Sequence, residues 1–81
     1  MRVTVRLFAR LRELAGRESW ELDVAPDATV SDAWAAVTSE HPPLAPFDRA
    51  ISCAVNANFS RMSQPLHEDD DVAFLPPVSG G

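Results

Sequence analysis

Lysine is missing altogether from this 81-residue chain, and all seven basic side chains are arginine. The plain reading is a compositional bias towards arginine and alanine. The chemical consequence is that no side chain offers an amine to acylate. Cysteine occurs once, which excludes an internal disulfide framework and fits a reducing cytoplasm. No apolar stretch approaches the roughly 20 residues that cross a bilayer, and residues 1–8 alternate apolar and charged instead of forming the apolar region of a secretion signal. The expectation is therefore a cytoplasmic domain away from membranes. Glycine occurs three times, at 16, 80 and 81, so no glycine-rich phosphate loop can be built, and neither a Cys-x-x-Cys nor a paired-histidine spacing occurs. Basic charge is also scarce. A net charge of −5 argues against nucleic acid, which needs a basic footprint to displace counterions from phosphates. Five of the seven arginines fall within residues 1–17, whereas Glu68-Asp69-Asp70-Asp71 forms an acidic run near the other end.

Side-chain catalysis has little material to work with. His41 precedes two prolines at the end of a helical pattern, where capping or simple exposure is expected. His67 stands in the acidic loop and is expected to be solvated. Cys53 lies among apolar neighbours in a strand-like run, which suits a small buried hydrophobe better than a nucleophile. Successive acidic residues in one loop rarely converge on a single ion, so no metal site is expected.

What is present reads as one α+β domain. In "RVTVRLF", Val3, Val5 and Leu7 alternate with Thr4, Arg6 and Phe8, the period of a half-buried strand. "ARLRELAG" follows with one or two helical turns ending at Gly16. "SWELDV" alternates again through Trp20, Leu22 and Val24. Thr29 and Asp32 resemble a capping box, and Val30, Ala33, Trp34 and Val37 then mark one face of an amphipathic helix. Pro42 and Pro43 end it. "PPLAPFDRA" reads as a proline-rich loop, "ISCAVN" as a strand, and "ANFSRM" as a shorter strand pairing with it across Asn56-Ala57-Asn58. In the last strand, "VAFL", Val72 and Phe74 face one way and Ala73 and Leu75 the other. One main helix and four or five strands imply a single mixed sheet with the helix packed across one face.

If Val3, Val5 and Leu7 face the helix, Phe8, Phe59 and Leu75 are left on the opposite face. A contiguous apolar patch there would mark a partner surface. That face leads into the ending "LPPVSGG". Residues 1–75 are expected to form the domain and 76–81 an extended tail. Pro76 and Pro77 favour extended backbone, and Val78, Ser79, Gly80 and Gly81 could then reach about 20 Å beyond Leu75. Two final glycines make a thread that fits a narrow channel and leave the terminal carboxylate unhindered. A bare carboxylate is a poor electrophile, so a partner would have to activate it, for example by adenylation with ATP.

"LFARLRELAG", "AVNANF" and above all "DDDVAFLPPVSGG" resemble the small, sulfur-carrying subunit of molybdopterin synthase, a ubiquitin-like β-grasp protein. The resemblance covers essentially the whole chain, although the central helix and "HPPLAPFDR" contribute little to it. It implies that an E1-like enzyme uses ATP to adenylate the carboxylate of Gly81 and that a sulfur-donating sulfurtransferase converts it to a thiocarboxylate. Val78 to Gly80, preceded by Pro76 and Pro77, would then thread into the large synthase subunit, where sulfur passes to a cyclic pterin precursor. Catalytic side chains would belong to that large subunit, in a complex of two small and two large subunits. The small chain would be co-substrate and subunit together, with no bound cofactor of its own. By position, Phe8, Phe59 and Leu75 match the family's contact surface, although relatives more often carry an aliphatic residue at 59. Three alternatives remain open: a carrier for another sulfur pathway, a ubiquitin-like modifier of protein amines, and a β-grasp interaction domain that carries nothing.

Overall fold

The computed structural model describes residues 1–77; Val78, Ser79, Gly80 and Gly81 lie outside the described residues. Five strands form one mixed sheet in the order β2-β1-β5-β3-β4. They are β1 (Arg2–Leu7), β2 (Ser19–Asp23), β3 (Ser52–Val55), β4 (Asn58–Ser60) and β5 (Asp71–Leu75). β1 and β5 are parallel at the centre, and every other pairing is antiparallel. Register fixes the faces, because side chains alternate along each strand. Val5 stands beside Val72 and Val72 beside Val55, while Leu7 stands beside Phe74 and Phe74 beside Cys53. All of these are buried and form the sheet's contribution to the core.

The helix α2 (Val30–Glu40) closes that face with Val30, Ala33, Trp34 and Val37, the four residues its periodicity selects. Its start is fully accounted for. Thr29 Oγ1 accepts from the Asp32 N–H at 3.4 Å and the Asp32 carboxylate accepts from the Thr29 N–H at 2.9 Å, so the capping box forms with aspartate in the glutamate role. The N–H groups of Val30 and Ser31 donate to the carbonyls of Gln64 and Met62, at 3.0 and 2.8 Å. The irregular segment before β5 thereby supplies acceptors for donors that a helix start otherwise leaves unpaired.

The short helix α1 (Ala9–Ala15) contributes Leu11 to the core and stops at Gly16, whose φ of 71° is the left-handed conformation that glycine adopts freely. Phe8 keeps extended backbone one residue past β1, so alternation carries its ring to the face opposite Leu7.

Two details differ from the sequence expectation. Pro42–Phe47 is a 3-10 helix, not an irregular loop, and it buries Leu44 against the core. Proline at the first helical positions costs nothing, because those N–H groups have no intrahelical acceptor and its φ already suits a helix. The hairpin between β3 and β4 turns on Asn56 and Ala57 alone, with Asn58 already paired to Val55. Both turn residues have positive φ, 50° and 71°, as a tight type I′ turn requires. Alanine is a poor choice for the second position, because its Cβ crowds the left-handed conformation by roughly 1–2 kcal/mol. Ala57→Gly is accordingly expected to stabilise the fold by about 0.5–1 kcal/mol, after subtracting the extra freedom glycine gives the unfolded chain. A urea titration comparing midpoints at unchanged slope checks it.

Candidate functional site

Among the described residues, no helix covers the sheet face away from α2. Register aligns Arg6, Ala73, Ala54 and Phe59 in one row across β1, β5, β3 and β4, with Leu75 and Ser52 paired in the next row. Phe8 is 43% exposed and Phe59 81%, and they are the large hydrophobic residues that stand out on the surface among the described residues. Leu75 is half-buried. Strands two places apart lie roughly 10 Å from each other, so Leu75 on β5 and Phe59 on β4 flank the same strip of surface. The two alanines between the aromatic residues keep the floor low. An open depression of about 390 Å³ is lined by Arg6, Phe8, Asn56, Ala57, Asp71 and Ala73. The three residues expected outside therefore share the open face, and the structure adds a polar pair beside them. Arg6 Nε donates to Asp71 Oδ2 at 2.7 Å, from β1 to β5 across the rim. Sequence alternation already puts Arg6 outside; what it cannot show is that a parallel pairing sets Thr4, two residues earlier on the same face, beside Asp71.

The acidic run is tied into the fold. The Asp70 carboxylate accepts from the Asn56 amide at 2.9 Å and from the His67 N–H at 2.8 Å, and Glu68 accepts from the Arg2 N–H at 2.6 Å. Asn56 also accepts from the Asp71 N–H, which clamps the β3–β4 turn to the start of β5. These bonds hold one end of the open depression in place. Among the described residues no three His, Cys, Asp or Glu side chains gather as a metal centre would require. His67 is solvated as expected, with its side chain 81% exposed. Cys53 is buried, its thiol directed at the Ser60 carbonyl at 3.2 Å.

His41 takes the capping position expected of it, as the C-cap of α2 with its backbone N–H donating to the Val37 carbonyl at 2.9 Å, and it also stands at the N-cap of the 3-10 helix. Its side chain adds no capping bond to the 3-10 helix; the ring is half-buried beside Trp20, centroids 5.6 Å apart and steeply inclined, with Nε2 enclosed and without a partner among the described residues. Arg17 stacks over the same indole at 4.1 Å from its centroid. Arg2 stands at the start of β1, beside acidic side chains of β2. A hydrogen bond from its guanidinium to Asp23, then the charges of Asp23 and Glu21, raise its pKa further above an already high value. No helix among the described residues is long and apolar enough to cross a membrane.

Pro76 and Pro77 follow β5 directly, the first half-buried and the second exposed, and carry no regular structure. Val78, Ser79, Gly80 and Gly81, expected to be the inserted tail, fall outside the described residues.

A mixed five-stranded sheet with a helix across one face, and a chain that leaves the centre of the sheet through its last strand, is the ubiquitin-like β-grasp architecture. The chain belongs to the ThiS family, whose profile matches residues 5–81. The molybdopterin synthase sulfur carrier subunit of Escherichia coli is 38% identical over 98% of this chain and 99% of its own. Small archaeal modifier protein 1 of Haloferax volcanii is 35% identical over 94% of this chain and 97% of its own. The crystal structure of that modifier superposes with a TM-score of 0.89 at 34% identity, covering all of both chains. A structure of the complex of subunits 1 and 2 of the molybdopterin-converting factor from Helicobacter pylori contains a chain that matches at 27% identity with a TM-score of 0.69, again over the full length of both.

Proposed function

We propose that this protein is a sulfur carrier and the small subunit of a molybdopterin synthase. The observation that carries the reading is the full-length match to a sulfur carrier subunit at 38% identity, together with "LPPVSGG" following the last strand. In this reading ATP and an E1-like enzyme convert the Gly81 carboxylate to an acyl adenylate, releasing pyrophosphate. Sulfur from a donor sulfurtransferase displaces AMP and leaves a thiocarboxylate. The chain's own contribution is positional. The open face docks on the large subunit, and the segment from Pro76 to Gly80 delivers the sulfur to a cyclic pterin precursor held there. Two prolines restrict the tail before docking, so less conformational freedom is lost when a channel orders it. The test is intact mass after incubation with ATP, an adenylating partner and a sulfur donor, followed by addition of the large subunit and precursor. Exchange of one oxygen for sulfur, then its loss as dithiolene forms, is the expected result. An unchanged mass under conditions that charge a known carrier would overturn the reading.

A second reading, a modifier joined to protein amines, is favoured by the 35% identity to small archaeal modifier protein 1. The same assay separates them, because a modifier would appear amide-linked to other proteins.

The docking role of the open face has its own expected outcome. Phe8→Ala or Leu75→Ala should weaken binding to the large subunit by about 1–4 kcal/mol, the range for truncating an apolar anchor at the centre of an interface. Titration by calorimetry against the purified large subunit checks it. Wild-type affinity in both variants would remove this face from the interface.

A further inference from the structure

We propose that this chain is a one-way acyl donor: once its terminus is activated, no copy of the chain accepts it, so an adduct it forms cannot grow by adding one copy to another. This rests on the proposed activation of Gly81 and asks what that electrophile would meet on the protein's own surface. An amine attacking an activated carbonyl forms a C–N bond, expels AMP or a thiolate, and gives its proton to solvent. A thiol does the same through sulfur. Strong nucleophiles of both kinds have been removed or withdrawn.

Lysine is absent from the sequence. The α-amine of Met1 is partly buried and donates to the Val24 carbonyl at 3.0 Å, tied to the strand edge. Cys53, the single cysteine, is 3% exposed on the core face of β3, and its thiol is held on the Ser60 carbonyl. His41 Nε2 is enclosed behind Trp20. His67 remains accessible, but an acyl-imidazole is returned to water by hydrolysis and leaves no lasting adduct. Serine and threonine hydroxyls are weak nucleophiles unless an adjacent base activates them. Arginine supplies the positive charge without this hazard, since a guanidinium stays protonated in a protein. The fold thus keeps its arginine ion pairs, such as Arg10 with Glu13 and Arg12 with Glu18, while offering no acceptor amine at those exposed sites.

The test supplies the activation chemically, so it stands apart from whether any enzyme charges the chain. The full chain is prepared with Gly81 as the α-thioester of mercaptoethanesulfonate and kept at millimolar concentration in mildly alkaline buffer, with and without added glycinamide. Products are treated with hydroxylamine, which cleaves thioesters and esters but spares amides, and are then weighed intact. The expected result is a glycinamide adduct where glycinamide is present, hydrolysed monomer where it is absent, and no species of doubled mass. Arg10→Lys and Arg12→Lys, at positions outside the open face, should each restore a hydroxylamine-resistant dimer. A resistant dimer from the wild-type chain would overturn the proposal by showing that Met1 or another group accepts. Lysine variants that stay monomeric while glycinamide reacts would overturn it equally, since the missing amine would then not be the cause.

Discussion

Phe74→Ala should remove a large share of the protein's folding free energy, whereas Phe59→Ala, the same chemical change fifteen residues earlier, should remove almost none. Phe74 is fully buried on β5, at the centre of the sheet between β1 and β3. Its ring packs tilted against Trp34 of α2, with centroids 4.9 Å apart, and Trp34 is itself fixed by donating from Nε1 to Asp48 Oδ1 at 2.6 Å. Truncation therefore leaves a void between two elements that cannot collapse towards each other without breaking that bond. Buried Phe→Ala substitutions typically cost about 3–5 kcal/mol. A domain of this length holds roughly 4–12 kcal/mol in total, at about 0.05–0.15 per residue, so one substitution takes about a quarter of it or more. Phe59 is 81% exposed on an edge strand and touches little that its loss could hollow. Surface changes of that kind usually stay within about 0.5 kcal/mol. Urea midpoints for the two variants decide it, and a comparable loss from Phe59→Ala would mean that the sheet's two faces have been exchanged.

That contrast was readable from alternation because β1 and β5 each have one face in the core. Period-two patterning says which residues share a face, and the amphipathic helix says which face must be covered. What alternation cannot reveal is strand order. Arg6 and Asp71 are 65 residues apart, and only the parallel pairing of β1 with β5 brings them to 2.7 Å. The same holds for Asn56 with Asp70 and Asp71: the acidic run looks like a solvated loop until the β3–β4 turn is seen beside it. Pro42 and Pro43 signal the end of α2 and a loop beyond it, yet the constraint that ends α2 at His41 also suits the first turn of a new 3-10 helix. The capping position of His41 is legible in the sequence, but the enclosure of its ring is not, for a related reason. A helix end is usually exposed, but Trp20 on the edge strand reaches over this one.

Backbone strain brackets the open face. Ala9 and Ala57 both have positive φ, at 50° and 71°, where an alanine is crowded. Ala9 makes the sharp turn directly after Phe8, and Ala57 makes the hairpin turn that helps line the depression beside it. Such conformations persist only where the surroundings over-determine them. Here the surroundings are the β1–β5 pairing on one side and the Asn56–Asp70–Asp71 bonds on the other. The apolar strip is thus presented by rigid sheet, and little ordering cost is left for docking to meet.

Deleting Gly81 should abolish sulfur transfer while leaving the unfolding midpoint where it was. The stability half follows from the core, since among the described residues every member of the buried cluster precedes Pro76 and β5 ends at Leu75. The functional half follows from reach. The shortened chain still ends in a carboxylate, on Gly80, with the same intrinsic chemistry. Docked through the same face, that carboxylate falls short by one residue, about 3.3–3.6 Å. Reacting atoms must approach to roughly 3–3.5 Å with aligned orbitals, and a misplacement of about 1 Å alone can cost a hundredfold in rate. A shortfall of a whole residue should therefore stop both adenylation and sulfur delivery, even though association with the large subunit persists through Phe8, Phe59 and Leu75. Three measurements on one variant carry the argument: thermal midpoint, affinity for the large subunit, and dithiolene formation in a purified system. Unchanged, near-unchanged and absent is the expected order. Dithiolene formation at the wild-type rate would remove the tail from the chemistry and leave an interaction domain with an incidental pair of glycines.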